Sequence, residues 1–189
     1  MIAKSDFDVI KSVLNGDKES YSILVDRYKV KGMSLAFRIL KNRDDAEDAL
    51  QHAFIRAYKS LSTFEKKSSF ATWFYRILYN VCIGNITGKQ SMFFENIENV
   101  QETEFIDEND YNNVEEILSS NEFAEILNTE MEKLDPIYSS ILTLFYVQEL
   151  SYNEITEITK LPIGTIKNRL FRARNLLKKA LLKYSKELI

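Results

Sequence analysis

The chain has 189 residues, with 25 Lys and Arg against 28 Asp and Glu, one Cys, one His, two Pro and five Gly. A single cysteine cannot close an internal disulfide, and one His with one Cys cannot furnish a usual zinc site. No run of about 18 apolar residues is present, so no membrane insertion is expected, and Asp6 and Asp8 stand where a secretory signal needs an apolar stretch. An apolar fraction of 45% suffices for a core, and the chain reads as a folded, cytoplasmic protein of a reducing compartment.

The net charge of −3 conceals a block pattern. Residues 1–90 carry 15 basic and 10 acidic side chains, residues 91–133 one and 13, and residues 134–189 nine and five. Two mildly basic blocks flank an acidic connector, so an acidic pI argues nothing against nucleic acid.

Few helix breakers and no hairpin signal predict an all-α fold. A first helix spans Asp6–Leu14 and stops at Asn15-Gly16. Asp17 caps a second, which runs to about Leu40 with Tyr21, Leu24, Val25, Tyr28, Leu35 and Ile39 at helical spacing. Asp44 starts a third, with Glu47 as its capping-box partner. A fourth runs from Ser69 to Ile86. The connector from Gly88 to about Leu118 has no sustained period and reads as a linker, with Phe93, Phe94, Phe105 and Ile106 scattered along it. A helix over about Glu122–Leu134 follows, then one from Pro136 to Glu149. Ser151 and Glu154 form a capping box for a short helix to about Thr159, and a long helix runs from Pro162 or Ile163 to about Tyr184. The organisation is two small helical domains, 1–88 and 119–189, joined by an acidic linker at 89–118.

A short helix, a tight turn and a longer basic helix make a helix-turn-helix pattern. In the long helix Ile163, Ile166, Leu170, Ala173, Leu177 and Ala180 form an inward stripe. Asn168, Phe171 and Arg172 fall on the opposite side, with Thr165, Lys167 and Arg169 on its flanks near the helix N-terminus. Arg and Lys suit guanine edges, Asn suits adenine, and an apolar ring meets a thymine methyl, so the face is a candidate duplex reader. The bland alternative is a solvated face with one stray aromatic. The fourth helix sets Thr72, Tyr75, Arg76 and Tyr79 opposite Trp73, with Asn80 on the flank. Aromatics beside Arg and Asn suit unpaired bases, and the loop Ser62–Ser69 with Lys66 and Lys67 suits a backbone or base contact. The alternative is that these tyrosines pack on another helix. The third helix turns Asp45, Asp48, Gln51, His52 and Arg56 outward, a solvated face or a partner surface. Cys82 is expected buried rather than reactive. No phosphate loop, nucleophile elbow or metal-ligand spacing is present, so no enzyme activity, cofactor or metal is expected.

The run from Asp45 to Tyr58 (DAEDALQHAFIRAY) resembles the most characteristic segment of the extracytoplasmic-function (ECF) sigma factors. Phe70–Asn80 (FATWFYRILYN) resembles the segment that follows it there. Leu150–Ile155 and Leu161–Arg174 resemble that family's C-terminal helix-turn-helix. The resemblance covers about residues 7–88 and 119–184. It implies a dissociable promoter-selecting subunit of bacterial RNA polymerase. Asp48, Gln51 and His52 would meet the clamp helices of the core enzyme. Phe64, Lys66, Lys67, Ser69, Arg76 and Asn80 would capture an unstacked non-template base as single-stranded DNA. Thr165, Lys167, Asn168, Arg169, Phe171 and Arg172 would read the more distant promoter element as duplex. The acidic connector would thread toward the RNA exit path, and an anti-sigma factor commonly masks such a protein.

The chain departs from the family in three places. His52 stands where Glu is usual, and Asn168 where Ser is common. After Asn80 only Lys89 remains of the usual basic run, which predicts few duplex phosphate contacts and weak DNA binding by the free protein. Two other readings stay open at this level: an autonomous helix-turn-helix regulator, and a degenerate sigma relative that sequesters a partner. The two basic blocks and the acidic tether also make a closed, domain-packed form plausible in the free protein.

Overall fold

A computed structural model describes residues 4–86 and 120–187, with side chains described at 4–86 and 122–184. The linker expected at 89–118, with its four scattered apolar residues, lies outside the described residues. The helices are α1 (Asp6–Leu14), α2 (Tyr21–Leu40), α3 (Arg43–Lys59) and α4 (Phe70–Asn85), then α5 (Ser120–Lys133), α6 (Pro136–Leu142), α7 (Tyr152–Thr159) and α8 (Ile163–Glu187). Among the described residues all regular structure is helical.

Local chemistry explains most boundaries. Ser5 and Asp8 form a capping box for α1, and Ser151 and Glu154 do the same for α7, each satisfying orphan N–H groups of a first turn. Gly16, at φ +105°, takes the backbone out of α1 where a Cβ would be strained. Lys41 and Lys160 close α2 and α7 in left-handed geometry. Asp135 caps α6, and Pro136 takes its first position, where a missing N–H costs nothing.

Two expectations are corrected. The cap of α3 is Asn42, whose side chain accepts from the N–H groups of Asp44 and Asp45 at 2.9 and 3.1 Å. Glu47 instead pairs with Arg43 one turn away. The helix begun at Pro136 does not run regularly to Glu149. It widens into a π turn at Thr143–Val147, with the Gln148 N–H donating to the Thr143 carbonyl, and reverses at Glu149 (φ 58°).

The first four helices pack around an aromatic centre. Phe54, Phe70 and Phe74 stack, and Tyr28 meets Phe70, Phe74 and Tyr75. α3 presents Ala46, Ala49, Ala53 and Ala57, all fully buried, so its backbone lies close to its neighbours. Gly32 of α2 faces it: a Cβ there would sit 2.7 Å from Leu50 Cδ1. The second domain is centred on Ile137, Ile141, Leu144, Ile155, Ile158, Ile166 and Leu170.

The two halves pack directly on one another, and their buried apolar residues form one contiguous core. α7 lies on α4, and α6 with the π turn lies on α2. At the far end of α2, Arg38 donates to the Asn128 carbonyl and side-chain oxygen at 3.3 and 3.1 Å, and Lys41 Nζ to the Glu132 carbonyl at 2.8 Å. Both cations thus satisfy carbonyls in the last turns of α5, where the helix dipole favours them.

Candidate nucleic-acid interface

α3 carries the clearest division of labour. Its alanines face inward, while Asp48, Gln51, His52, Ile55 and Arg56 are exposed. The three residues expected to meet the polymerase therefore share one accessible face, and among the described residues no element of the second half covers them.

The group assembled around α4 is more divided. Phe64, expected among the base-capturing residues, is buried instead, with its ring 5.3 Å from Trp73, 5.9 Å from Phe70 and 6.0 Å from Phe7. It anchors the loop rather than lining it. Lys66, in left-handed geometry (φ 57°), is exposed and holds its ammonium 5.3 Å over the Phe7 ring. α1 thereby braces the loop, a role the sequence reading missed. Lys67 is exposed beside Glu65. Ser69 is the N-cap of α4, accepting from the Thr72 N–H at 3.1 Å. Asn80 is exposed one turn beyond Arg76.

Tyr75 and Tyr79 do not present stacking faces here. Both are buried, as is Thr72. Tyr75 packs on Tyr28 and Phe74 inside the first half. Burial pushes the Tyr79 hydroxyl up to about 12, against the nearby Arg169 charge. The reading that these tyrosines pack on another helix is the one the structure bears out. A helical wheel ranks faces by polarity, but it cannot say that a second domain covers the more polar one.

α7 supplies what covers it. The Thr72 hydroxyl donates to Glu154 Oε1 at 2.9 Å, and Arg76 Nη1 lies 3.4 Å from Glu157 Oε1. Burial works to raise the Glu154 pKa, but hydrogen bonds from the Ser151 N–H, the Ser151 hydroxyl and Thr72 outweigh it. The carboxyl sits below its ordinary value. Glu154 was legible as a capping residue, whereas its second partner and the whole role of Glu157 were not.

Along α8, Lys167 is exposed and Thr165, Asn168, Phe171 and Arg172 are half-buried. Arg169 is different: only 3% exposed, it lies within electrostatic reach of Tyr79, Tyr138 and Asp135. Burial lowers its pKa and those three groups oppose the shift. In this arrangement Arg169 is buried, with Tyr79 of α4 and with Tyr138 and Asp135 of its own half nearby. Lys167 also holds its ammonium 5.7 Å over the Tyr152 ring, tying the two helices of the helix-turn-helix. Cys82 is buried as expected, its thiol pushed up to about 12. Among the described residues no cluster of His, Cys, Asp and Glu could hold a metal, and no helix is long and apolar enough to cross a membrane.

Comparison with known proteins places these faces in a family context. Residues 24–91 match the model for Sigma-70 region 2, and residues 124–177 that for Sigma-70, region 4. The chain is 36% identical over 179 residues to the ECF RNA polymerase sigma factor SigW of Bacillus subtilis, covering 91% of this chain and 94% of that protein. It is 33% identical over 176 residues to the ECF RNA polymerase sigma-E factor of Escherichia coli, covering 90% and 91%. Among solved structures, CnrH in complex with the cytosolic domain of CnrY shares the fold, with TM-score 0.63, 20% identity, and 96% and 99% of the two chains covered. RpoE in complex with the anti-sigma factor NepR from Bartonella quintana matches at TM-score 0.59 and 25% identity, over 87% and 98%.

Proposed function

The chain belongs to the extracytoplasmic-function sigma factors, and from that premise we propose how its separate faces divide the work of initiation. As a sigma factor of this type it directs bacterial core polymerase to specific promoters and initiates transcription. It is a transcription initiation factor, and the working assembly supplies the catalysis from the polymerase. Its place of action is the cytoplasm, where the chromosome and polymerase are.

The observation that carries the division of labour is the two-sidedness of α3. One side is a run of buried alanines, and the other is the exposed strip Asp48, Gln51 and His52. We assign that strip to the clamp helices of the core enzyme. His52 is the odd member, since an imidazole stands where the family usually has a carboxylate. Lys66, Lys67, Ser69, Arg76 and Asn80 form the opening group. A base is captured only after leaving the stack, so a pocket that binds the extruded base favours the open state. Phe64 acts in that group from below, by holding the loop. Lys167, Asn168, Phe171, Arg172 and Thr165 form the duplex reader, and Arg169 joins it only when the two halves separate. The segment 1–88, the connector 89–118 and the segment 119–189 are then the units that core polymerase holds apart. An anti-sigma factor is the further partner, by extension from the relative that is solved with one.

Run-off transcription tests this reading. Core polymerase, with and without the protein, is supplied with a library of promoter fragments. Discrete starts should appear only with both. Arg172→Ala should weaken them about tenfold or more and relax preference at one base pair, because a bidentate base contact is worth roughly 1–3 kcal/mol. Lys167→Ala, removing a phosphate contact, should weaken all sites alike. Core binding without starts would make the protein a sequestering relative. Duplex binding that ignores core would make it an autonomous regulator.

A further inference from the structure

α1 meets two residues of the opening loop through one side chain. Phe7 stacks on Phe64, with ring centroids 6.0 Å apart and planes at 14°, and the Lys66 ammonium lies 5.3 Å over the same Phe7 ring. α1 precedes residue 24, where the match to Sigma-70 region 2 begins, so the contact is made from outside the matched segment. We propose that Phe7 is a positioning residue for promoter opening, which holds the Lys66 ammonium on the loop that receives the extruded base and so helps to set which base is accepted. This role rests on the opening function given to that loop above.

The first turn of α1 is a firm base for a loop. Ser5 and Asp8 close its capping box. Asp6 Oδ1 accepts from Arg27 Nη1 at 2.6 Å, Asp6 Oδ2 accepts from the Tyr28 hydroxyl, and Arg27 also donates to the Lys4 carbonyl. Val9, Ile10 and Val13 are buried. Tyr28 in turn meets Phe70, the first residue of α4, with ring centroids 5.4 Å apart. The turn that carries Phe7 is therefore tied to α2, and through Tyr28 to the helix that the loop leads into.

The two lysines of the loop are held by different chemistry. Lys67 pairs with Glu65, so its charge is compensated within the loop. Lys66 rests on a ring, and an aromatic face attracts a cation through its quadrupole without neutralising it. Lys66 thus keeps its charge and its three N–H donors while losing freedom of position. Its backbone lies in the left-handed region (φ 57°), which few residues other than glycine occupy, so its main chain is held as well. Phe7 is 40% exposed, and the pair stands at the surface, open to an incoming base. An ammonium donates and cannot accept. It suits thymine, cytosine and guanine, whose edges carry carbonyl oxygens, over adenine, whose edges carry an amine and ring nitrogens. Phe7 acts on that choice through Lys66.

The test is run-off transcription by core polymerase with the full chain. One run-off-selected promoter carries each of the four bases in turn at each non-template position of the opened element. Ratios of starts between bases are read, because a ratio does not depend on the fraction of protein folded. At one position Lys66→Met, which keeps the stem and removes the charge, should raise adenine relative to the carbonyl-bearing bases. Phe7→Leu, which keeps apolar bulk and removes the ring, should move that ratio the same way by about two- to fivefold, the worth of an exposed cation–π pair. The double variant should match Lys66→Met alone, since the ring acts through the ammonium. Phe7→Tyr, which restores a ring, should keep the wild-type ratio. Leu14→Ala, at an exposed position two turns along α1, should keep it too. Preference at the duplex element should stay unchanged in every variant. A Phe7→Leu loss shared equally by all four bases would make the contact a structural brace and overturn the proposal. So would additive effects in the double variant, a Tyr variant that behaves like Leu, or an equal shift from Leu14→Ala. The underlying assignment fails in a different way: if Lys66→Met leaves every ratio unchanged, the loop's lysine does not meet the base. A shift with Lys66→Met and none with Phe7→Leu sinks the role of Phe7 alone.

Discussion

Thr72 and Glu154, 82 residues apart, join the N-termini of two helices from different halves of the molecule. Ser69 caps α4 and shares its hydroxyl with Thr72 at 2.8 Å. The Thr72 hydroxyl in turn donates a hydrogen bond to Glu154 Oε1, while Glu154 Oε2 accepts from the Ser151 N–H and hydroxyl at 2.9 and 2.8 Å. One carboxylate thus closes a capping box and ties the halves together. Glu154→Ala should cost about 1–2 kcal/mol, the loss of a cap plus a charge-assisted bond. Glu154→Gln should cost less than about 1 kcal/mol, since Gln also completes this box. Urea unfolding followed by fluorescence of Trp73, the chain's one tryptophan, measures both. The carboxyl lies below its ordinary 4.5, so its contribution is whole above that pH and fades as pH falls through the lower folded value. The two variants should therefore converge on wild type in acid.

Arg38 is the most buried cation of the contact between the halves apart from Arg169, with 6% of its surface exposed. It serves two oxygens of Asn128 and lies 3.6 Å from Glu132. Arg38→Met keeps most of the stem and removes the donors, leaving the Asn128 oxygens without them. The expected cost is about 2 kcal/mol, the range for hydrogen bonds to a charged group. Glu132→Gln should cost under about 1 kcal/mol, because that carboxylate is half exposed. The same urea titration separates the two.

Gly32 tests how closely α2 and α3 approach. An alanine there gains about 1 kcal/mol of helix propensity but meets Leu50 Cδ1 at 2.7 Å. That atom ends a half-buried side chain that can turn aside, so Gly32→Ala should stay within about 1 kcal/mol of wild type. Gly32→Val adds methyls toward Leu78 and Phe74, 3.4 and 3.6 Å from the Cβ position, and should cost roughly 1–3 kcal/mol from overpacking. Thermal unfolding of the pair checks the sign and the gap.

Cys82 predicts an alkaline limit. Burial raises its thiol from 9.0 to about 12 in the folded chain. The thiol's contribution is whole below pH 9 and is lost as pH rises toward 12, because the unfolded chain gives up the proton first. The slope approaches about 1.4 kcal/mol per pH unit. Cys82→Ala should flatten stability between pH 9 and 10, before the Tyr79 hydroxyl begins to add the same behaviour from its ordinary 10.0. Thiol labelling at pH 8 should be slow in the folded chain and fast in urea.

The local signals in this chain were strong where a single turn decides the outcome. Ser151 with Glu154, Asn15-Gly16 and Asp135-Pro136 each place a helix boundary through bonds made within a few residues, and all three are where the sequence puts them. Asn42 shows the limit even there. Asn and Asp compete for the same orphan N–H groups, and the chain used the earlier oxygen. The family motifs were equally legible, since they are linear runs of residues.

By itself, then, the sequence determined most helices, the two-domain order, the family and the polar outward face of α3, all set by periodicity and short-range bonding. Only the tertiary structure decided that Tyr75, Tyr79, Phe64 and Arg169 are buried, and that Glu157 meets Arg76. The burial of Tyr75 and Phe64 depends on packing within the first half, and the other contacts join residues about 80 or more positions apart. A polar stripe is compatible with water, DNA or another helix alike. The choice is made by whichever surface fits its donors and removes the apolar area around them from water, and that surface exists only once both halves have folded.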